Sequence, residues 1–335
     1  MMLRFLAAAL AFLVLTAGGA AAQSTARMVT AANAFLATLN PAQKQKASFA
    51  FDDAQQRTRW SNLPVTMVPR AGLSLGELSE PQRAAAMALV TASLSARGIQ
   101  KVQDIMEGDE TLKAGGRAGM FGKDLYFISL LGAPSPTQPW MLQFGGHHLA
   151  LNITVAGARG VLTPSLIAAQ PGLYTFNGRV VRPMGAESDK AAELFNSLDA
   201  GQKQQATISA RVADLVLGPG NDDRTIAPEG LKASSLNERQ RALLLEVISE
   251  YANIIHDSAA AERMTEIRAG LNETWFAWSG PATATVGRNI ESYYRIQGPN
   301  LVIEYAPQRG DPAMHIHAMY RDPTNDYGRK LTAGR

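Results

Sequence analysis

The chain repeats itself, and no other feature limits its possible folds as much. "LNPAQKQKA" (39–47) matches "LDAGQKQQA" (198–206), and "GLSLGELSEPQRA" (72–84) matches "GLKASSLNERQRA" (230–242). "LYFISLLG" around Phe127 resembles "TWFAWSG" around Phe276, and "QFGGHHLALN" (143–152) aligns with "RIQGPNLVIE" (295–304). The blocks keep their order, so each half is expected to be one unit that buries its apolar face against the other.

Within each half, helix signals precede strand signals. Segments 29–39 and 41–49 read as short helices. Ser79 and Gln82 have capping-box spacing and predict a helix running to Arg97, ahead of Gly98. Asn237 and Gln240 repeat the device before "RALLLEVISEYANII". Strands are expected at 125–131, 140–144 and 148–155, and again at 274–278, 292–296, 301–305 and 314–320. Helices followed by strands predict an α+β fold. The expected form is an internally duplicated helices-then-strands unit, pseudo-two-fold, with a mainly antiparallel sheet system and outer helices. The expected division is a signal peptide (1–22), a first half (23–160), a connecting segment (161–187) and a second half (188–335), all in one compact unit.

The leader is read from Arg4, the apolar run 5–15 and the Ala20-Ala21-Ala22 end, which fits cleavage before Gln23. The apolar run is shorter than the ~20 residues a membrane helix needs. The expectation is an exported protein, periplasmic or secreted, with no membrane association after cleavage. The chain has no cysteine, which excludes disulfides and thiolate chemistry. Its net charge of +3 is spread among interspersed acids, and no basic run points to nucleic acid.

Histidine is used sparingly and in clusters: four of the five lie in "GGHHLALN" and "HIH". Side chains alternate along a strand. Leu149, Leu151, Ile153 and Val155 therefore share a core face, and His148, Ala150, Asn152 and Thr154 share a small, polar one. In "HIHAMYRD", His315 and His317 share a face and are spaced to chelate one ion. Glu304, opposite in face to Leu301, Ile303 and Tyr305, is one short loop away. Imidazoles with one carboxylate suit a divalent ion, zinc before copper or iron. His148, His315 and His317 are the expected ligands, with His147 or Glu304 as fourth ligand or general base. The plainer alternative is that all are polar residues on a half-buried sheet. The lone His256 reads as a charge at a helix C-terminus. "GLSLG" (72–76) has nucleophile-elbow spacing but lacks the strand–turn–helix context that places Ser74 for chemistry.

"GHHLALN", "YYRIQGPNLVIEY" and "HIHAMYRDPTNDYG", with "RTRWSNLP", "GLSLGELSEPQRA" and "LLGAPSP", resemble the bacterial and fungal family called domain of unknown function 3500. The resemblance covers about 31–331. It implies that Gly146, His147, His148, Asn152, Glu304, His315, His317, Arg321, Asp322 and Asp326 sit at family motif positions. Asn152, Arg321 and Asp322 are the expected substrate-binding residues. Leu142, Gln143 and Gly145 stand where the family pattern has tryptophan, arginine and glutamate. The family has no assigned reaction, so the resemblance implies a fold and site positions only. The expectation is an exported metal-dependent enzyme acting on a small molecule, a hydrolase before a copper or iron oxidoreductase. The third possibility is a non-catalytic small-ligand-binding protein.

Overall fold

The structure is a computed structural model that describes residues 2–333 apart from 118, 209, 210 and 223; for residues 2–18 and 20 it describes the backbone alone. Most side chains of the expected leader therefore lie outside the described residues. The first part of the chain contains helices α1 (Met2–Thr38), α2 (Pro41–Ala47), α3 (Ala54–Thr58), α4 (Glu80–Ser93) and α5 (Ala96–Ala114). Its strands are β1 (Ser48–Phe49), β2 (Leu73–Ser74), β3 (Phe127–Leu131), β4 (Trp140–Gly146), β5 (Leu149–Ala156) and β6 (Arg159–Ala169). A small hairpin follows, β7 (Tyr174–Phe176) and β8 (Arg179–Val181). The rest contains α6 (Gly185–Ser197), α7 (Ala200–Ala206), β9 (Leu231–Lys232), α8 (Glu238–Ala252), α9 (Asp257–Ala269) and β10 (Trp275–Ser279). It ends with β11 (Tyr293–Gly298), β12 (Leu301–Pro307), β13 (Ile316–Arg321) and α10 (Arg329–Thr332). Among the described residues, no helix is long and apolar enough to cross a membrane.

The fold is α+β. One sheet runs in the order β1-β3-β4-β5-β6-β13-β12-β11-β10-β9, with β2 also on β3. Every neighbouring pair is antiparallel except β1–β3. β6 and β13 meet at its centre. One face packs on the helices: Leu142, Leu151, Ile153, Ile296 and Ile303 join Leu89, Ile105, Phe195, Leu244 and Ile248 in one buried cluster. The opposite face holds a smaller cluster of Leu131, Met141, Ala150, Leu166, Ala168 and Met319 under Trp60 and Tyr327. The alternation read in β5 is therefore correct, but both of its faces are buried.

The repeated sequence blocks have a physical meaning. Asn40 with Gln43, and Ser79 with Gln82, are capping boxes at the starts of α2 and α4. The two capping glutamines bond each other, Gln82 Nε2 donating to Gln43 Oε1 at 2.9 Å and to the Thr38 carbonyl at 2.8 Å. In the second half Asp199–Gln202 and Asn237–Gln240 cap α7 and α8. Gln240 Nε2 then donates to Gln202 Oε1 at 2.8 Å and to the Ser197 carbonyl at 2.9 Å. Each glutamine satisfies orphan N-terminal backbone groups and also ties two helix starts together.

Several expected boundaries move. The helix expected through Arg97 ends at Ser93, and Ser95 caps a new helix whose first turn contains Gly98. Gly98 is there for close approach: a Cβ on it would lie 2.2 Å from the Ile254 carbonyl oxygen. The helix expected over 41–49 stops at Ala47, and Ser48–Phe49 joins the sheet. The boundary expected at 160 falls inside β6, so the supposed connecting segment 161–187 contributes a central strand. His256 does not end a helix; it is the N-cap of α9, its Nδ1 accepting from Ala259 N. Burial lowers its pKa, with Arg27 adding to the effect, so it caps as a neutral ring. Ser74 is no nucleophile elbow: its hydroxyl donates to Glu77 Oε2 at 3.1 Å in another capping box.

Candidate metal centre

His147 and His148 are not strand residues. β4 and β5 pair Gly146 with Leu149, which leaves the two histidines as the whole hairpin turn. His148 takes φ 62°, a left-handed conformation uncommon for a side chain of this size. The turn sits tightly on the layer below. A Cβ on Gly146 would lie 2.8 Å from the Leu125 carbonyl oxygen and 3.0 Å from the Tyr126 ring. The Tyr126 hydroxyl donates to the His147 carbonyl at 2.8 Å.

Register decides what the turn meets. Leu149 pairs with Ile167 on β6, and the next β6 residue, Ala168, pairs with His317 on β13. His148 and His317 therefore flank Ala168 at the same height. A methyl group is small enough for both rings to meet above it. His315 stands just before β13, half-buried, and reaches the same point. His315 Nε2 lies 3.1 Å from His148 Nε2 and 3.1 Å from His317 Nε2. One ligand nitrogen from each of the three fits within 4.8 Å of the others. Nitrogens ~2.0–2.1 Å from one tetrahedral zinc ion would be spaced ~3.3 Å apart, so the donor set suits such an ion and leaves a fourth position open. Burial, reinforced by the neighbouring histidines, pushes the His148 pKa well below its usual value. Burial likewise lowers His315 to about 4. Both rings are neutral at pH 7, the form in which imidazole binds a metal.

Carboxylates orient two of the four clustered rings. Asp214 Oδ1 lies 3.0 Å from His317 Nδ1 and also accepts from Gln308 Nε2 at 2.9 Å. Burial tends to raise the Asp214 pKa, but the His317 contact, the Leu215 N–H and Gln308 together outweigh it and the net shift is downward. A carboxylate on Nδ1 sets the tautomer that turns Nε2 toward a metal. Asp109, 1 % exposed on α5, approaches His147 Nδ1 to 2.6 Å. Burial raises its pKa, with the His147 contact opposing. The His147 ring stacks on His148 at 3.6 Å between centroids.

The other expected site residues have different jobs. Glu304 does not join the three-histidine group. Its carboxylate accepts from Val216 N and Leu217 N, each at 2.8 Å, and from the Tyr293 hydroxyl at 2.7 Å. It anchors the segment that carries Asp214. Asn152, 1 % exposed, accepts from Gln143 Nε2 at 3.0 Å and donates to the Pro164 carbonyl at 2.9 Å. Arg321 stands four residues beyond His317, roughly 13 Å along β13. It bonds Asp326 Oδ2 and the Asn221 carbonyl, each at 2.8 Å. Asp322 pairs with Arg263 at 3.0 Å. All three are engaged in these contacts, and none of them joins the three-histidine group.

Two residues that sequence reasoning missed touch the triad. Asp214 is one, and Asn62 is the other: its Nδ2 lies 3.3 Å from Nδ1 and 3.2 Å from Nε2 of His317. Asn62 belongs to "RTRWSNLP", a block whose place in the family pattern was the available signal. Asp214 lies in a stretch with no periodicity and no motif.

Fold and site together define an α+β protein built on one large, mostly antiparallel sheet, with a cluster of three buried or half-buried histidines where the β4–β5 turn meets the start of β13. The chain belongs to the family described as protein of unknown function (DUF3500), which it matches over residues 21–329. No curated protein and no solved structure matches it.

Proposed function

We propose that this is an exported metal-dependent enzyme, a hydrolase, in which His148, His315 and His317 hold one divalent ion, zinc before copper or iron. The observation that carries the reading is the convergence of three ε nitrogens at 3.1 Å steps inside a buried site. When bound, zinc would lower the pKa of an attached water to about 7 and so supply a nucleophile at neutral pH. Asp214 holds His317 in its ligating tautomer. His147 is the proton acceptor: Asp109 takes its Nδ1–H and leaves the lone pair on Nε2. The substrate is a small molecule that enters a cleft of about 480 Å³ lined by Trp60, Asn62, Leu63, Val68, Asp214 and Leu215.

Export rests on the leader features of residues 1–22, and sequencing the N-terminus of the native protein tests it; an intact Met1 would refute it. The same proposal treats the halves as copies related by a near two-fold axis. Leu151 and Ile303, aligned by the repeat, pair with Ser165 and Tyr320, and these two pair with each other. That pattern supports an axis between Ser165 and Tyr320. Elemental analysis of tag-free protein purified from its own compartment tests the metal. One equivalent of zinc, lost in His317→Ala, with hydrolysis restored by zinc and not by copper, is expected. Metal-free wild-type protein that takes up none of these ions would overturn the proposal.

A further inference from the structure

We infer that Asn62 is a catalytic residue of this centre, donating an amide N–H to a carbonyl or carboxylate oxygen that the substrate presents at the open position. The inference rests on the metal reading proposed above. An atom almost equally far from both nitrogens of one imidazole, at 3.3 and 3.2 Å, cannot lie in the ring plane, where it would collide with Cε1. Asn62 Nδ2 therefore stands over the face of His317. It is beside the line on which Nε2 would bind an ion, not on it. It is no ligand, and it is no partner for Nδ1, which Asp214 holds. Lying out of the ring plane, Nδ2 is aimed at neither in-plane lone pair of His317, so its N–H is left for an acceptor on that side. We place the open fourth position on that same side of the ring.

The donor is fixed in place from three directions. His148 N donates to the Asn62 carbonyl at 3.1 Å, tying the loop to a ligand. The Arg70 guanidinium bonds the carbonyls of Ser61 at 2.7 Å, Leu63 at 2.6 Å and Gly146 at 3.3 Å. Trp60 Nε1 donates to the Tyr327 hydroxyl at 2.9 Å. Tyr327 itself takes φ 58°, a strained conformation kept at the clamp. A side chain only 7 % exposed and so braced is a preorganised N–H, the device that stabilises an oxygen as it gains negative charge. The adjoining cleft has mixed walls, Trp60, Leu63, Val68 and Leu215 alongside Arg59 and Asn221, and it includes Asn62 and Asp214, which touch His317. These features select an acyl compound, its carbonyl or product carboxylate oxygen shared by the metal and Asn62.

Acetate binding to the cobalt(II)-loaded full chain, followed by visible absorption, tests this without a known substrate. Asn62→Ala should bind cobalt within about threefold of wild type and acetate roughly tenfold more weakly, the loss expected for one hydrogen bond to a charged group. Asn62→Asp keeps the shape of the side chain and the loop, and should weaken acetate further by repulsion while cobalt stays bound. Wild-type acetate affinity in both variants would sink the role of Asn62 and leave the metal centre standing. A wild-type protein that takes up no cobalt would remove the metal reading, and the inference with it.

Discussion

The β4–β5 and β11–β12 hairpins occupy matching places in the two halves of the sheet and do different things. Both close with a two-residue turn, between Gly146 and Leu149 in one and between Gly298 and Leu301 in the other. Both carry a polar pair facing across the strands, Gln143 with Asn152 and Arg295 with Glu304. In each, that pair tethers a loop over the face away from the helices. Gln143 accepts from Gln56 Nε2 at 3.0 Å and donates to the Arg57 carbonyl at 2.9 Å, fixing the segment that delivers Asn62. Glu304 fixes the segment that delivers Asp214. The difference is at the tips. One turn is His147-His148; the other is Pro299-Asn300, whose Asn300 carbonyl is held by the Arg263 guanidinium. The tether is common to both halves, and the chemistry depends on which tip carries imidazole and has more imidazoles within reach.

The largest expected effect comes from breaking the histidine tip. Alanine at His148, His315 or His317 should weaken metal binding by more than about a hundredfold, beyond the 10–100-fold typical of an outer-shell partner. Alanine at His256 should leave it unchanged. Competition against a chelator gives the numbers, and equal losses at all four positions would refute the assignment.

Ala168→Leu attacks the same tip without touching a ligand. It fills the space over which His148 and His317 meet, so metal binding should fall while overpacking costs about 1–3 kcal/mol. Full metal occupancy in a folded Ala168→Leu protein would show that the rings do not meet above Ala168.

The tethers should differ by their charge. Glu304→Gln removes an ionised acceptor from two backbone N–H groups and should cost about 2–3 kcal/mol, whereas Asn152→Ala breaks a neutral chain at about 1–2 kcal/mol. Denaturant unfolding of both proteins reads the difference; identical costs would erase it.

The smallest contrast lies in the glutamine links. Gln240 is buried and Gln82 is only half-buried. Alanine at Gln240 should therefore cost about 1–2 kcal/mol and alanine at Gln82 about half that. A larger loss at Gln82, in thermal unfolding, would show that burial does not set the strength of these links.

Much of this protein was legible locally. Capping boxes at Ser79 and Asn237, the alternation of Leu149, Leu151, Ile153 and Val155, and helix signals ahead of strand signals all rest on contacts within a few residues. They were enough for an α+β fold with one shared sheet. The histidines stood out through their clustering. Alternation placed His148 on the correct side of the sheet for an incorrect reason, because it is a turn residue with positive φ and not the first residue of a strand. Glu304 shows the opposite failure: its face was read correctly, but what it bonds was decided by Val216 and Leu217, 88 and 87 residues away.

What only the tertiary structure decided is which groups meet. His148 and His315 are 167 residues apart, and they converge because β6 lies between their strands and presents a methyl group at Ala168. Asn62 and Asp214 reach His317 on loops held by Arg70 and by Glu304. Periodicity tells a residue which face it occupies, since that depends on its own backbone. It does not say which strand lies alongside, in which register, or which loop folds over that face. Those depend on pairing energies summed across the whole sheet, and the three-histidine cluster exists only at that level.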